Sequence, residues 1–290
     1  MSVSHPIVAV TGSSGAGTST VKSAFEAIFR RGSVKPVVIE GDSFHRFDRK
    51  AMRAEVVKAK QQGRTLTHFG PEANCLDRLE SLFQTYAEAG QGERRYYIHN
   101  DATGEQFNQP AGTITPWEDI DNNTDLLFYE GLHGGIVTDE VNVARFVDLL
   151  IGVVPVINLE WIQKIKRDRS KRGYSQEAVV DTILKRMPDY IHHITPQFSR
   201  THINFQRVPL IDTSNPFVMR EIPTADESLV VIRFKDPKIA DFPYYLSMLK
   251  DSFMSRPNNL VIPAVKMGLA MDIILTPFIE DMMYKKRHRA

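Results

Sequence analysis

A glycine-rich segment near the N-terminus has the spacing of a loop that binds nucleotide phosphates. It follows the pattern G-x-x-x-x-G-K-[ST], except that Thr18 stands where the lysine belongs. Backbone amides and the positive end of a following helix can hold a polyphosphate, and the Ser19 hydroxyl is expected to reach Mg²⁺. We assign phosphate binding to Gly12, Ser13, Ser14, Gly15, Ala16, Gly17, Thr18, Ser19 and Thr20. A glycine-serine turn without a ligand is the alternative interpretation.

The missing lysine predicts that another part of the chain supplies a cation, because phosphoryl transfer needs positive charge near the transferred group. Residues 158–172 predict a helix with an unusual density of Lys and Arg. At helical spacing, Lys164, Arg167 and Arg172 can gather on one side. Asp168 lies among them and is expected to stay ionised, either as an orienting partner or as a carboxylate toward metal or an acceptor hydroxyl. A solvated charged face is the alternative.

Two carboxylates follow apolar runs and could supply the remaining chemistry. Asp42 shares a turn region with His45 and Arg49, so it could accept a hydroxyl proton while these cations hold an acceptor phosphate. Glu130 ends another apolar run, where a single carboxylate suits Mg²⁺. Structural interpretations also fit, because aspartate caps helices and acidic residues before glycine are common in turns.

Apolar runs rich in β-branched residues predict strands, and helical patterns lie between most of them. This alternation predicts an α/β fold with a mainly parallel sheet covered by helices. Because ligands of such sheets bind beyond the carboxyl ends of the strands, the polar residues named above are expected at one edge. The predicted strands are Ile7–Val10, Pro36–Glu40, Leu126–Glu130, Leu149–Val154, Val208–Asp212 and Leu229–Phe234.

A small antiparallel excursion is predicted around residues 92–118. Its two segments, Arg94–His99 and Gly112–Thr115, are short, rich in aromatic or β-branched residues and separated by a polar stretch. The sequence contains no internal repeat, low-complexity tract or obvious linker. We therefore expect one domain over residues 1–290.

The last segment of the chain predicts a helix over about residues 266–285. Apolar positions recur from Met267 to Tyr284, and Pro277 is expected to kink the helix. The basic residues Lys285–Arg289 are expected to follow it as a tail. We interpret this helix as a core element or subunit contact.

The composition excludes several classes of protein. Of 290 residues, 42% are hydrophobic and 24% charged, which is ordinary for a globular chain. Lys and Arg number 36 against 35 Asp and Glu, so no excess charge favours nucleic acid or an anionic membrane. Cys75 is the single cysteine, which fits a reducing compartment. The N-terminus lacks a signal-peptide pattern and the apolar run 149–157 is too short for a bilayer, so we expect a cytoplasmic protein.

Taken together, these segments resemble phosphoribulokinases of the bacterial, octameric type over the whole chain. That family has the same lysine-free loop. The matching stretches are TGSSGAGTST at 11–20, EGDSFHRF at 40–47, LLFYEGLHGG at 126–135, VPVINLEWIQKI at 154–165 and FQRVPLIDTSNPF at 205–217. The resemblance implies a P-loop nucleoside-triphosphate hydrolase-like fold. It also implies transfer from ATP, with Mg²⁺, to the C1 hydroxyl of ribulose 5-phosphate.

The resemblance also implies roles for individual residues. Asp42 corresponds to the base and Lys164 to the displaced lysine of the phosphate loop. Glu130 and Asp168 correspond to the metal and active-site carboxylates, with Ser19 on the metal. Positions associated with the sugar phosphate are matched by His45, Arg49 and Arg172, with Arg167 beside them.

Bacterial members of the family are homo-oligomers activated by NADH through arginines at subunit contacts. The resemblance places Arg31, Arg233 and Arg256 in such positions, although each alone is typical of an ordinary surface. The redox switch of plant-type members is not expected, because Ser19 occupies the loop position where those enzymes have cysteine. A homo-oligomer, as large as an octamer, is therefore expected.

Two other functions stay open at this point. A uridine-kinase-like nucleoside kinase, or a related kinase for another pentose phosphate, would share the architecture. Nucleoside kinases normally keep the loop lysine and have less use for cations around an acceptor phosphate. A non-catalytic nucleotide-binding regulator would be expected to lose its carboxylates, whereas Asp42, Glu130 and Asp168 are all present.

Overall fold

A computed structural model describes residues 4–12, 18–218 and 221–289 of the chain. At Thr18, Ser19, Pro155, Lys171, Arg172 and Arg289 it describes the backbone alone. Within these ranges, no helix combines the length and apolar character needed to cross a membrane.

The described chain alternates strands and helices through most of its length. The strands are β1 Ile7–Gly12, β2 Pro36–Glu40, β3 Glu93–Arg94, β4 Glu118–Asp119, β5 Leu126–Gly131, β6 Leu149–Pro155, β7 Ile203–Pro209, β8 Ser228–Phe234, β9 Phe253–Arg256 and β10 Asn259–Pro263. The helices are α1 Thr18–Arg31, α2 Arg49–Gln61, α3 Leu76–Ala89, α4 Asp101–Phe107, α5 Ile157–Arg172, α6 Gln176–Asp189, α7 Gln197–Arg200, α8 Phe242–Met248 and α9 Met267–Arg289.

One eight-stranded sheet runs in the order β2-β5-β1-β6-β7-β8-β10-β9. The first five of these strands are parallel, and β8, β10 and β9 continue the sheet in antiparallel fashion. Successive residues of β1 face opposite cores: Val8 packs with Phe25 and Ile274, whereas Ala9 packs with Phe83. The predicted mainly parallel, mixed sheet flanked by helices is confirmed.

The predicted strand Val208–Asp212 was placed too late in the chain. In the structure β7 covers Ile203–Pro209, with Ile203 and Phe205 buried. Leu210 and Ile211 lie beyond the strand and are 62% and 38% exposed. The prediction failed because Asn204, Gln206 and Arg207 interrupt the apolar pattern within β7, whereas the apolar run 208–211 continues past the end of the strand.

The antiparallel excursion pairs at its ends. Strands β3 and β4 form a two-stranded sheet, and Tyr97 and Ile114 make an isolated bridge between them. Helix α4 fills the interval, although the sequence pattern did not predict it. The sequence analysis also missed the β9–β10 hairpin, whose strands are short.

Helix α9 runs through Pro277 and onward to Arg289, so the prediction of a separate basic tail was wrong. Lys285 pairs with Asp281 one turn earlier at 2.5 Å. Lys286 donates to the carbonyls of Thr124 and Asp125 at 3.0 and 2.9 Å. These contacts hold the last turns in helical form against the protein.

Gly152 of β6 provides a test of packing beside the central strand. A Cβ there would lie 2.0 Å from Asn204 Oδ1, and Asn204 is fixed by bonds to Thr201 and Phe198 at 2.5 and 2.9 Å. We expect Gly152→Ala to lower the free energy of unfolding by about 1–3 kcal/mol in urea denaturation. Gly268→Ala, where a Cβ meets open space, should leave it unchanged or raise it by up to about 1 kcal/mol. Equal stability of the two variants would contradict this account.

Candidate active site

The carboxyl ends of β2, β5 and β1 lie side by side at one edge of the sheet. Glu40 is opposite Glu130, which in turn is opposite Val10. A Cβ on Gly41 would lie 2.8 Å from the Gly131 Cα, so both glycines are needed where the chains leave the strands. The turns that follow therefore begin in close contact, at the edge where parallel sheets bind ligands.

The predicted phosphate loop connects β1 to α1 at this edge. Gly12 ends β1 in a buried position, and Thr20 is exposed in the first turn of α1. Residues 13–17 lie outside the described residues, as do the side chains of Thr18 and Ser19. The strand and helix that flank the loop have the arrangement that phosphate binding requires.

Asp42 lies in the short helical turn that follows β2. His45 Nε2 is 3.3 Å from its Oδ1, His99 Nε2 is 3.8 Å from its Oδ2, and the carboxylate side chain is 44% exposed. Partial burial opposes ionisation, but the hydrogen bond from His45 and the nearby imidazoles lower the Asp42 pKa to about 2. The carboxylate is thus ionised and open to a hydroxyl. The alternative role as the α2 cap belongs instead to Asp48, whose side chain accepts from the Ala51 N–H.

His45 and Arg49, the predicted phosphate holders, take different positions beside Asp42. The His45 ring is buried, with Nδ1 2.9 Å from Asn74 Oδ1 and Nε2 toward Asp42. Arg49 is exposed at the start of α2 and donates to the His99 carbonyl at 3.1 Å. Arg49 is therefore accessible to an anion, whereas both ring nitrogens of His45 already have protein partners.

Glu130 shares its strand edge with a second carboxylate and a lysine. Lys22 of α1 pairs with Glu40 at 2.9 Å, and its charge also acts on Glu130. Burial lowers the Lys22 pKa, but these carboxylates outweigh it and raise the pKa overall. Carboxylate oxygens are suitable Mg²⁺ ligands, with water and phosphate oxygens supplying the rest. Among residues 4–12, 18–218 and 221–289, no cluster of three or more His, Cys, Asp or Glu could hold a metal.

The cation-rich helix α5 brings its charges together around Asp168. Lys164 Nζ lies 2.7 Å from Asp168 Oδ2, and Arg167 Nε lies 3.0 Å from Oδ1. Burial raises the Asp168 pKa, but the two ion pairs outweigh it and lower it. The side chains of Lys164 and Asp168 are only 16% and 6% exposed, so the solvated-face interpretation is wrong for this pair. The Arg172 side chain lies outside the described part of the chain.

Arg186 of α6 was missed by the sequence analysis, although it connects the two halves of the site. Its guanidinium lies 5.8 Å from the centroid of the Phe69 ring. Its charge acts on both Lys164 and His68, and the His68 ring stacks 4.1 Å from His45. The Asp42 turn and the α5 cations therefore belong to one charged site.

Gln197 was also missed, and it joins the ends of β1 and β5. Its fully buried Oε1 accepts from the Thr11 hydroxyl and the Gly135 N–H, both at 2.9 Å. Its Nε2 donates to the carbonyls of Leu132 and His193 at 2.9 and 2.7 Å. No spacing rule predicts this residue, because Thr11, Leu132 and Gly135 are distant from it in sequence.

The three predicted effector arginines lie on two different parts of the molecule. Arg31 ends α1 and pairs with Asp272 of α9 at 2.6 Å. Arg233 and Arg256 both lie opposite Asn259 at the antiparallel end of the sheet. In the described ranges, no hydrogen bond or ion pair joins Arg31 to the other two within one chain.

The fold and the site together define a P-loop kinase, since a strand-loop-helix phosphate site meets carboxylates and cations at one sheet edge. The sequence profile described as "PRK: Phosphoribulokinase / Uridine kinase family" matches residues 7–214. The chain belongs to this family.

Similar proteins share the chain's full length. Chromosomal phosphoribulokinase of Cupriavidus necator is 60% identical over 291 residues, covering 100% of each chain. A probable phosphoribulokinase of Escherichia coli K12 is 53% identical over 287 residues, covering 99% of each. A solved structure, phosphoribulokinase from Rhodobacter spheroides, has a TM-score of 0.91 and 55% identity, covering 99% of this chain and 100% of that one.

Because His133 is buried, we expect the protein to lose stability in acid. Burial lowers its pKa to about 4, although its bond to the Phe69 carbonyl opposes the shift. The unfolded chain therefore binds more protons below about pH 6.5, so the free energy of unfolding should fall as pH drops toward about 4. His133 should contribute about 3 kcal/mol in total, at up to about 1.4 kcal/mol per pH unit.

Urea denaturation of His133→Gln across that pH range measures this contribution. Glutamine can still donate to the Phe69 carbonyl but does not titrate, so the slope should become shallower. His192→Gln, at an exposed histidine, should retain the original slope. Identical slopes in both variants would exclude His133 as the cause.

Proposed function

We propose that this chain transfers the γ-phosphoryl group of ATP to the C1 hydroxyl of ribulose 5-phosphate, giving ribulose 1,5-bisphosphate and ADP. The observation that carries this proposal is an accessible, ionised Asp42 held in one charged site with Lys164. The relatives named phosphoribulokinase match the chain over its full length, which supports the same acceptor.

Asp42 is the proposed base for the acceptor hydroxyl. Its Oδ1 faces His45, and its carboxylate is exposed enough for a substrate to approach. Because its pKa is about 2, it is ionised in the resting site and orients the hydroxyl before accepting the proton. The proton moves to the carboxylate as the acceptor oxygen attacks phosphorus and the bond to the leaving ADP oxygen breaks.

Lys164 is the proposed substitute for the loop lysine. It is held on α5, mostly buried, and burial lowers its pKa while Asp168 opposes that shift. Arg167 shares the same carboxylate. We propose that these cations turn toward the transferred phosphoryl group when nucleotide binds, because charge placed there stabilises the transition state.

The carboxylate and hydroxyl oxygens near the loop fit a magnesium ion. We assign Glu130 and Ser19 to hold it, with Asp168 as a further candidate carboxylate. When bound, Mg²⁺ neutralises charge on the nucleotide phosphates. For the acceptor phosphate we propose Arg49, Arg167 and Arg172, with His45 contributing positive charge.

Other parts of the proposal concern assembly and regulation. We propose one kinase domain over residues 1–290, acting in the cytoplasm as a homo-oligomer, as large as an octamer. We further propose that NADH activates it through Arg31, Arg233 and Arg256. The separation of Arg31 from the other two within one chain favours a site completed at a subunit contact.

The first test is incubation of the purified protein with ATP, Mg²⁺ and ribulose 5-phosphate, with and without NADH. We expect ribulose 1,5-bisphosphate and ADP, with uridine and other pentose phosphates turned over far more slowly. Asp42→Asn should reduce kcat by about 10²–10⁴-fold with nucleotide affinity largely unchanged. Preferred turnover of uridine would contradict the proposed acceptor, ribulose 5-phosphate. Nucleotide binding without turnover would contradict the proposed kinase activity. An active Asp42→Asn variant would contradict the assignment of Asp42 as the base.

Lys164→Met tests the substitute lysine. Because its charge is needed most in the transition state, kcat should fall by about 10²–10³-fold while nucleotide affinity changes far less. Steady-state kinetics and nucleotide-binding calorimetry separate the two effects. Lys166→Met, two residues away on an exposed position of α5, is the matched control and should stay near wild type. Unchanged turnover in Lys164→Met would exclude this role.

A further inference from the structure

Asn74 lies against the Asp42 turn with its side-chain amide fixed in one orientation. The residue is 1% exposed, and its backbone forms a bridge with His45. Its Nδ2 donates to the carbonyls of His68 and Gly70 at 3.0 and 2.7 Å. Since carbonyls can only accept, the amide cannot be reversed, and Oδ1 is the atom that faces His45.

This orientation determines what His45 must donate. Its Nδ1 lies 2.9 Å from Asn74 Oδ1, an acceptor. Its Nε2 lies 3.3 Å from the Asp42 carboxylate, also an acceptor when ionised. A neutral imidazole has only one N–H, whereas the imidazolium has two. Both contacts are satisfied only when His45 carries two protons and a positive charge.

The surroundings of His45 are compatible with that cation. The His68 ring stacks on it with a centroid separation of 4.1 Å and a tilt of 31°. Burial and the neighbouring His45 lower the His68 pKa to about 3, so this partner is uncharged and can lie over a cation. The titratable and charged groups around His45 are Asp42, His68, Arg95, Tyr97, His99 and His133.

We infer that Asn74 is a positioning residue that fixes His45 as a double donor and thereby orients the Asp42 carboxylate. The three side chains form a continuous array, from the buried Asn74 amide through the His45 ring to the partly exposed Asp42 carboxylate, with contacts of 2.9 and 3.3 Å. With Asp42 Oδ1 occupied by His45, Oδ2 is the oxygen that takes the acceptor proton. His45 keeps both its protons, and its charge favours the ionised carboxylate before transfer.

Two substitutions separate this role from simple support of the loop. Asn74→Leu removes both the acceptor toward His45 and the donor toward the two carbonyls. Asn74→Asp keeps an acceptor oxygen toward His45 but cannot donate to either carbonyl. Positioning predicts that the aspartate variant behaves like wild type at His45, whereas loop support predicts that both variants fail alike.

The protonation of His45 can be read directly by magic-angle-spinning NMR of sedimented full-length protein labelled with ¹⁵N-histidine. A His45→Gln variant assigns the signals. At neutral pH we expect two protonated ring nitrogens in wild type and Asn74→Asp, and the loss of one proton in Asn74→Leu. In the kinetic assay, kcat should fall about 10–100-fold in Asn74→Leu, which is only a part of the rate enhancement that a general base contributes. The KM for ATP should change little. Asn74→Asp should recover most of that loss.

Asn204→Asp is the matched control, since Asn204 is a buried asparagine whose Nδ2 also donates to a carbonyl, at 2.9 Å from Phe198. It should lower stability without altering the His45 signals. Unchanged His45 signals in Asn74→Leu would overturn the inference, as would equal losses of turnover in two folded Asn74 variants. Only the kinetic measurement rests on the proposed function. If ribulose 5-phosphate is not turned over but the His45 signals change as expected, the inference about Asn74 and His45 is supported and the proposed acceptor is wrong.

Discussion

The close approach of β2 and β5 at their carboxyl ends is the constraint on which the site depends. Gly41 and Gly131 meet there with no room for a Cβ on either, and the Tyr129 hydroxyl fills the space beside them. Because the two strands end in register, the turns that carry Asp42 and follow Glu130 begin at the same level. Larger residues at either glycine would separate the turns and move the proposed base away from the metal-side carboxylate.

Three carboxylates near the site each contact a basic side chain of the protein. Glu40 pairs with Lys22, Asp42 contacts His45, and Asp168 lies between Lys164 and Arg167. Pairing makes partial burial of these charges tolerable, because an unpaired charge away from water is strongly destabilised. It also keeps the charges close to where phosphates, a metal ion and the acceptor would bind. A bound ligand would then replace one member of an existing ion pair, and the charged group that it contacts would already be in position.

The lysine-free loop explains the character of α5. A cation on the loop would lie next to the phosphates by local geometry alone, whereas one on α5 must be positioned by packing. The packing of α5 against α6 provides this, and Lys164 lines a cavity of about 30 Å³ with Glu160, Arg186 and Tyr190. Burial in that cavity holds the ammonium in place, and the ion pair with Asp168 offsets its desolvation.

Local pattern in the sequence determined the strand and helix that flank the phosphate loop, four of the five parallel strands, the strand ends at which Asp42 and Glu130 lie, and the helix carrying Lys164. These follow from periodicity and turn chemistry within short windows. Only the tertiary structure decided that Asn74 faces His45, that Arg186 lies between the two halves of the site, and that Gln197 joins β1 to β5. Their partners are distant in sequence, and each residue type has many structural uses. Since such contacts arise from packing between elements, one chain read alone carries no local signal for them.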